Sequence, residues 1–301
     1  VSAGNSRFLF FERKSSSINS TKYKEYCLSV RRLRLLIKRK EDKFMRHQVH
    51  SNYDKFRPKY PGKLIERACN LANLSSEADL LEIGAGPATA TVSFANRGYH
   101  ITSIEPNEDL YQMAEKKCHP FPNVEFVNTT FEEWPLRENA FDAVFAPLSI
   151  HLVSPEVAYQ KSAKALRKNG HMMLFWNMPL RPSIEIYQKL KPIYKEICPS
   201  LYDKYKDNDA LRNQIDGLGE NLRNTPFFDN MQYDEVEIKK SYSGSEYVRY
   251  LSTSSNYFKL ETNKKAALFD ALKKKIREDF QNQITLHGLV ALQIAKKKRE
   301  A

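Results

Sequence analysis

The chain has 301 residues, 41% hydrophobic and 28% charged, a balance that excludes disordered, collagen-like and coiled-coil proteins and leaves room for one large or two small folded domains. Its formal charge of +12, taken whole, points towards nucleic acid or an anionic surface. The distribution withdraws that reading from the body of the chain. Residues 1–40 hold eleven Lys or Arg against Glu12 and Glu25, residues 296–301 hold four against Glu300, and between them bases and acids balance at 33 each.

Residues 1–45 read as a basic, Ser-rich N-terminal extension, with one short basic amphipathic stretch over 26–37, preceding a core that starts near the first methionine, Met45. A single domain is expected over 46–301. Cys27, Cys69, Cys118 and Cys198 stand far apart without a C-x-x-C pair, which argues against a disulfide framework and for a reducing, cytoplasmic compartment. The longest apolar runs, Phe8 to Phe11 and Met172 to Trp176, are far below the roughly 20 residues of a membrane helix, so no membrane insertion is expected. Glu12-Arg13-Lys14 follow the first run at once, unlike a secretory leader. His47 and His50 have no acid or cysteine at ligand spacing, and no metal is expected.

After Pro61 the pattern predicts a helix over 62–72, a strand over 79–83, a helix over 88–96, a strand over 100–105 and a helix over 108–117. Strands over 124–127 and 141–146, a helix over 155–166 and a strand over 171–176 follow. Short apolar strands separated by helices of about ten residues form right-handed βαβ units, and hence a doubly wound, Rossmann-like α/β sheet covered on both faces. The Tyr- and Lys-rich segment from about 178 to 230 reads as a helical cap over the site. A strand over 233–239, helices over 245–252 and 264–280, and a strand over 288–295 complete the sheet edge.

Chemistry concentrates where the first strand runs into Gly84-Ala85-Gly86-Pro87. Gly84 permits a tight turn, and Gly86 lets a ligand approach the backbone where a Cβ would intrude. Glu105, at the end of the next strand, stands where a carboxylate accepts hydrogen bonds from both ribose hydroxyls of an adenosine cofactor. Two cofactor classes fit. A dinucleotide fingerprint wants Gly or Ala at the position held by Thr89, and Glu82 would add negative charge near a pyrophosphate. Acids at both strand ends suit a cationic ligand instead, which favours S-adenosylmethionine over a nicotinamide dinucleotide.

With these residues the sequence resembles the class I S-adenosylmethionine-dependent methyltransferases, in particular the small-molecule group with the methyltransferase type 11 domain that includes trans-aconitate methyltransferase. The resemblance runs from about Tyr53 to Ala295. Glu82, Gly84 and Gly86 match the family's first motif, with Ala88 in place of a third glycine. Ile104-Glu105-Pro106-Asn107, Thr130-Phe131-Glu132, Phe141 to Pro147, Ile150-His151-Leu152-Val153 and Leu166 to Gly170 follow in the family's order. Tyr53 to Pro61 looks like its N-terminal lid, and Glu246-Tyr247 with Tyr250 to Ser254 like an element shaping the acceptor pocket. The resemblance implies a seven-stranded sheet, mostly parallel with an antiparallel last strand. It also implies methyl transfer to a small-molecule acceptor, with a carboxylic acid and an O-methyl ester product as the version nearest trans-aconitate methyltransferase.

The implied cofactor site consists of Arg57, Glu82, Gly84, Ala85, Gly86, Glu105, Pro106, Thr130, Phe131 and Pro147. Leu148, His151, Trp176 and Asn177 stand on the acceptor side. Each has a second reading. Glu82 can cap backbone N–H groups of the turn, Phe131 can be core, and Arg57 can bind the cofactor carboxylate, an acidic substrate or only a surface acid. His151 is the candidate base, since imidazole titrates near neutral pH, or a residue that only lines the pocket. Arg57, Lys59 and Arg181 would supply cationic contacts to an acid. The alternatives are an RNA methyltransferase or nucleic-acid binder using the basic ends, against which the neutral body speaks, and an NAD-dependent oxidoreductase.

Overall fold

The computed structural model describes residues 52, 53 and 55–298. The basic extension, its amphipathic stretch, His47 and His50 lie outside them. In chain order the elements are α1 (Gly62–Leu71), β1 (Asp79–Ile83), α2 (Thr91–Ala95), β2 (His100–Ile104), α3 (Glu108–Cys118), β3 (Val124–Val127), β4 (Phe141–Pro147) and α4 (Pro155–Ala165). After these come β5 (Leu166–Asn177), β6 (Arg181–Pro182), α5 (Ile184–Ile197), α6 (Asn208–Asn224), β7 (Phe228–Ser243), α7 (Gly244–Leu251), α8 (Ser255–Phe258), α9 (Thr262–Asp279) and β8 (Gln283–Lys297).

One sheet holds all eight strands. β3, β2, β1, β4 and β5 are parallel neighbours in that order, and β8 lies antiparallel between β5 and β7. The expected architecture is therefore present with one strand more than the seven anticipated. The extra strand, β6, has two residues and takes up the β8 edge at His287 and Leu286, where β5 has left it at Val290.

Alternation along the central strands builds a core on each face, since successive side chains of a strand point to opposite sides. Leu81, Val144, Met172, Leu174 and Trp176 pack with α4 and α6. Leu80, Phe145, Met173 and Phe175 pack with α1 and α2. Both sets are buried, which is why β4 and β5 read as continuous apolar runs rather than as half-exposed strands. A third cluster joins α5, α7 and α9 around Leu190, Tyr194, Tyr247 and Leu272.

Local chemistry sets the helix ends. Asn107 caps α3 by accepting from Leu110 N–H at 3.0 Å, with Glu108 and Asp109 in the first turn and Lys116 and Lys117 in the last, the charge order that complements the helix dipole. Ser243 and Glu246 form a capping box at α7. The helix anticipated from Ala88 begins only at Thr91, because Ala88 has φ +57° and a left-handed residue cannot continue a right-handed helix.

Two expectations change. Of the segment read as a cap, only α5 joins the separate helical cluster. α6 lies on the sheet, with Leu211, Ile215 and Leu222 in the main core. The basic C-terminal residues are also not all tail. Lys296 and Lys297 belong to β8, and Lys297 is buried with its ammonium donating to Leu166 C=O at 2.8 Å. Among the described residues no helix is long and apolar enough to cross a membrane.

α6 is fastened by one buried amide. Gln293 of β8 accepts from Trp176 Nε1–H at 2.7 Å and donates to Ile215 C=O at 3.0 Å. Gly219 makes room for it: a Cβ there would stand 2.2 Å from Gln293 Nε2. Gln293→Leu orphans the indole N–H, and a buried donor left unpaired costs about 1–3 kcal/mol. A urea titration of the variant is expected to show a loss of that size, and an unchanged midpoint would mean that the amide does not fasten α6.

Candidate functional site

At the carboxyl ends of β1, β2 and β4 three turns close on one another. Gly84 N–H and Ala85 N–H both donate to Ile104 C=O, at 2.8 and 3.0 Å, so the turn after β1 folds over the end of β2. Gly84 has φ +72°, and a Cβ there would lie 2.6 Å from Ser149 Cβ. The turn after β1 thus rests directly on the turn after β4, where Ser149 Oγ donates to Ile83 C=O. Gly86 also has positive φ, at +57°, but a Cβ there meets nothing within 4 Å. Gly84 is required by packing, and Gly86 keeps a surface clear. Ala88, at the position of the family's third glycine, holds the same left-handed φ of +57° at a cost of about 1–2 kcal/mol for a residue with a Cβ.

Glu105 ties the first two turns together. Its Oε2 accepts Gly86 N–H at 2.7 Å and its Oε1 accepts Asn107 N–H at 2.8 Å. Burial raises its pKa, and the two N–H groups act the other way. A carboxylate offers about four acceptor positions. Each oxygen therefore keeps one for a further donor.

Glu82 occupies an apolar position of β1, on the α2 face of the sheet. It is fully buried and accepts Thr91 Oγ1–H at 2.6 Å and Ser103 Oγ–H at 2.7 Å on Oε2. Its Oε1 has no protein partner. Burial, only partly offset by the two hydroxyls and reinforced by the negative charge of Glu105, pushes its pKa up to about 7. It does not cap the turn.

Over these turns lies a cavity of about 780 Å³, within the usual range for small-molecule sites. It brings together Arg57, Gly84, Ala85, Gly86, Glu105, Pro106, Thr130, Phe131, Pro147, Leu148 and Asn177 from the sequence reading. Three carboxylates, Glu105, Glu132 and Glu133, face it against one cation, Arg57. Arg57 donates from Nε to Thr253 Oγ1 at 2.9 Å and stacks its guanidinium between the rings of Tyr53 and Tyr250, at 5.1 and 5.4 Å. Two buried acceptor-capable atoms in the wall, Thr89 Oγ1 and Asn177 Oδ1, have no protein partner. Thr130 is committed locally, accepting Glu133 N–H at 3.2 Å, and Phe131 is core as well as wall, stacked on Trp134 with ring centroids 6.3 Å apart.

Three anticipated residues are absent from this wall. Trp176 is fully buried in the core with its indole bound to Gln293, so it cannot meet an acceptor. His151 sits on the outer side of the short helical turn Ile150–Leu152, exposed, its ring 6.2 Å from that of Trp176. Partial burial lowers its pKa. Glu82 lies beneath the wall. Asn107 and Thr253, which lie in the motif segments 104–107 and 250–254, line it as well, and so does Ser149, which the sequence did not single out. Ser149 carries no local signal, since it meets the site only through the turn after β1.

The wall fits an adenosylated cation. It offers a cradle that a Cβ at Gly86 would fill, a carboxylate with spare acceptor capacity, two orphaned acceptors and an excess of negative charge. No metal-binding cluster of His, Cys, Asp or Glu occurs among the described residues.

Residues 81–174 match a methyltransferase domain family. A Dictyostelium discoideum protein that carries the name methyltransferase is 27% identical over 221 residues, covering 72% of this chain and 78% of that protein. An uncharacterized methyltransferase of Mycobacterium tuberculosis is 30% identical over 125 residues, 42% of this chain and 49% of its own length, so the chain spans about half of that relative. Among solved structures, one that carries the name type II methyltransferase, from Anaeromyxobacter dehalogenans, superposes with a TM-score of 0.62 at 17% identity, covering 80% of this chain and 98% of that one. This likeness is one of fold.

The raised pKa of Glu82 ties stability to pH. The folded state holds this proton more tightly than the unfolded chain, so the stabilisation is complete below the ordinary carboxylate range and is lost as pH rises to about 7. Glu82→Gln keeps an oxygen for Thr91 and Ser103 and abolishes the titration. Chemical denaturation at pH 5 and pH 8 is expected to show a decline of the order of 2–3 kcal/mol in the parent and a flatter profile in the variant. Equal declines in both would refute the assignment.

Proposed function

We propose that the chain is a class I S-adenosylmethionine-dependent methyltransferase, as the methyltransferase domain matched over residues 81–174 supports, that its 780 Å³ cavity binds S-adenosylmethionine and that a small-molecule acceptor receives the methyl group. The observation that carries the reading is the joint placement of Gly86 and Glu105. A carboxylate held by two backbone N–H groups stands beside a backbone surface kept clear of any Cβ. On this reading Glu105 accepts the two ribose hydroxyls with its remaining lone pairs, and Asn107 keeps the carboxylate in place. Phe131 and Leu110 flank the adenine. Pro147 and Leu148 lie towards the transferred methyl, because ligands of open α/β sheets sit outside the carboxyl ends of the strands.

Charge supports the same cofactor over a dinucleotide. Glu105, Glu132 and Glu133 would repel a pyrophosphate and attract the sulfonium and ammonium groups. Asn177 Oδ1, buried and without a protein partner, is suited to an ammonium donor. Arg57 is placed to meet the cofactor carboxylate or an acidic acceptor.

When bound, S-adenosylmethionine supplies a methyl group on a sulfonium, already activated towards a nucleophile. The chain's own task is then to align the two reactants at near-attack distance and to exclude water, which alone contributes several kcal/mol to such reactions. No triad is needed. His151, outside the wall, is not the base in this reading. The finer identity of the acceptor rests on this chain's own second cavity.

Isothermal titration is expected to show S-adenosylmethionine affinity falling at least about tenfold in Glu105→Ala, which removes two charge-assisted acceptors. Gly86→Val should fall as far, because its side chain would fill the cradle. Unchanged affinity in both would end the proposal. Separately, His151→Gln should retain methyl transfer to within about tenfold, the lower edge of what a general base contributes, with an unaltered pH–rate profile between pH 6 and 8.

A further inference from the structure

Behind Arg57 lies a second cavity, of about 490 Å³, between β6, α5 and α7. Arg57 lines both cavities, so its guanidinium is the partition between them. The two differ in sign. The first is faced by three carboxylates and one cation, whereas the second is faced by Arg57, Arg181, Lys204 and Lys206 and by no Asp or Glu.

Arg181 is the distinctive group. Its Nη2 donates to Asn208 Oδ1, a neutral acceptor whose own amide donates to Glu237 at 2.6 Å. Its Nε and Nη1 are buried and have no protein acceptor. Tyr187 OH, in the same wall, is likewise buried without a protein partner. Three donor atoms of one small region thus lack an acceptor; Nε and Nη1 lie on different edges of the guanidinium, so each calls for its own oxygen, and the fixed positive charge favours an anion such as a carboxylate. Around them the wall is aromatic. Tyr187 packs on Tyr205 with ring centroids 4.9 Å apart, and Tyr250 spans from the stacked Arg57 to Leu180 C=O at 3.1 Å.

We infer that this cavity is the acceptor site, and that it takes an organic acid with a flat apolar body whose carboxylate is anchored on Arg181 and Tyr187. The inference rests on the methyltransferase reading of the first cavity. A carboxylate held by a guanidinium gives up basicity, so the Arg181 end is the handle, and the atom that receives the methyl lies towards Arg57. Amines and cationic acceptors are disfavoured, because nothing in the wall balances their charge.

The test uses the full chain, alone and with S-adenosylhomocysteine, titrated with 3-phenylpropanoate, 3-phenylpropanamide and phenyl phosphate and followed by ligand-observed NMR. The acid is expected to bind at least about tenfold more tightly than the amide, the difference a charge-assisted pair makes, and more tightly than the phosphate ester. Arg181→Met should reduce the acid to the level of the amide while leaving S-adenosylhomocysteine affinity unchanged, which also shows that the variant is folded. Tyr187→Phe should weaken the acid by a smaller factor. Equal binding of acid and amide, indifference to Arg181→Met, or preference for the phosphate ester would each overturn the inference. Failure of S-adenosylhomocysteine to bind, with the acid still bound through Arg181, would instead count against the reading of the first cavity.

Discussion

The carboxylate of Glu105 is the point on which the site is assembled. Two turns that follow different strands would each leave a backbone N–H group near the sheet end without an acceptor. Glu105 takes one from each, at 2.7 and 2.8 Å, and so fixes the turn after β1 relative to the turn after β2. Gly84, pressed against Ser149, fixes the same turn relative to β4. Three strand ends are thereby locked into one rim by contacts of a few atoms, and the cavity follows from the gap that they enclose.

Electrostatics divides the molecule more sharply than its overall charge indicates. Most of the net +12 is carried by residues 1–40, and within the described body the two cavities have opposite linings, with Arg57 lining both. Under the proposed assignment, a cationic donor and an anionic acceptor would each be drawn to its own side and repelled from the other. Arg57 lies over the rings of Tyr53 and Tyr250, a geometry in which a guanidinium holds its orientation.

Much of the fold was legible in the sequence because the signals there are local. β1 and β3 have the anticipated limits, and α3 has its cap and its dipole-complementing charges. Gly84, Gly86 and Glu105 were legible because turn geometry and a carboxylate at a strand end are properties of short segments. Trp176 misled because a strand-end aromatic looks the same whether it faces a cavity or a core, and only the amide of Gln293, 117 positions away, decides. α6 misled because what holds it to the sheet is Gln293 of β8, 78 positions beyond Ile215. Ser149 carried no signal for the same reason: its partners, Ile83 and Gly84, come from a segment far along the chain.

The place of β8 also has a consequence for how the chain is made. This strand pairs with β5 on one edge and β7 on the other, yet it is formed by residues 283–297. During synthesis the apolar edge of β5 stays open while α5 to α9 are produced, and the helices that pack on β8 have nothing to close against. Long-range pairings of this kind are slow and leave strand edges exposed. A chain stopped short of residue 283 would thus present the β5 edge unpaired, with β7 lacking its partner.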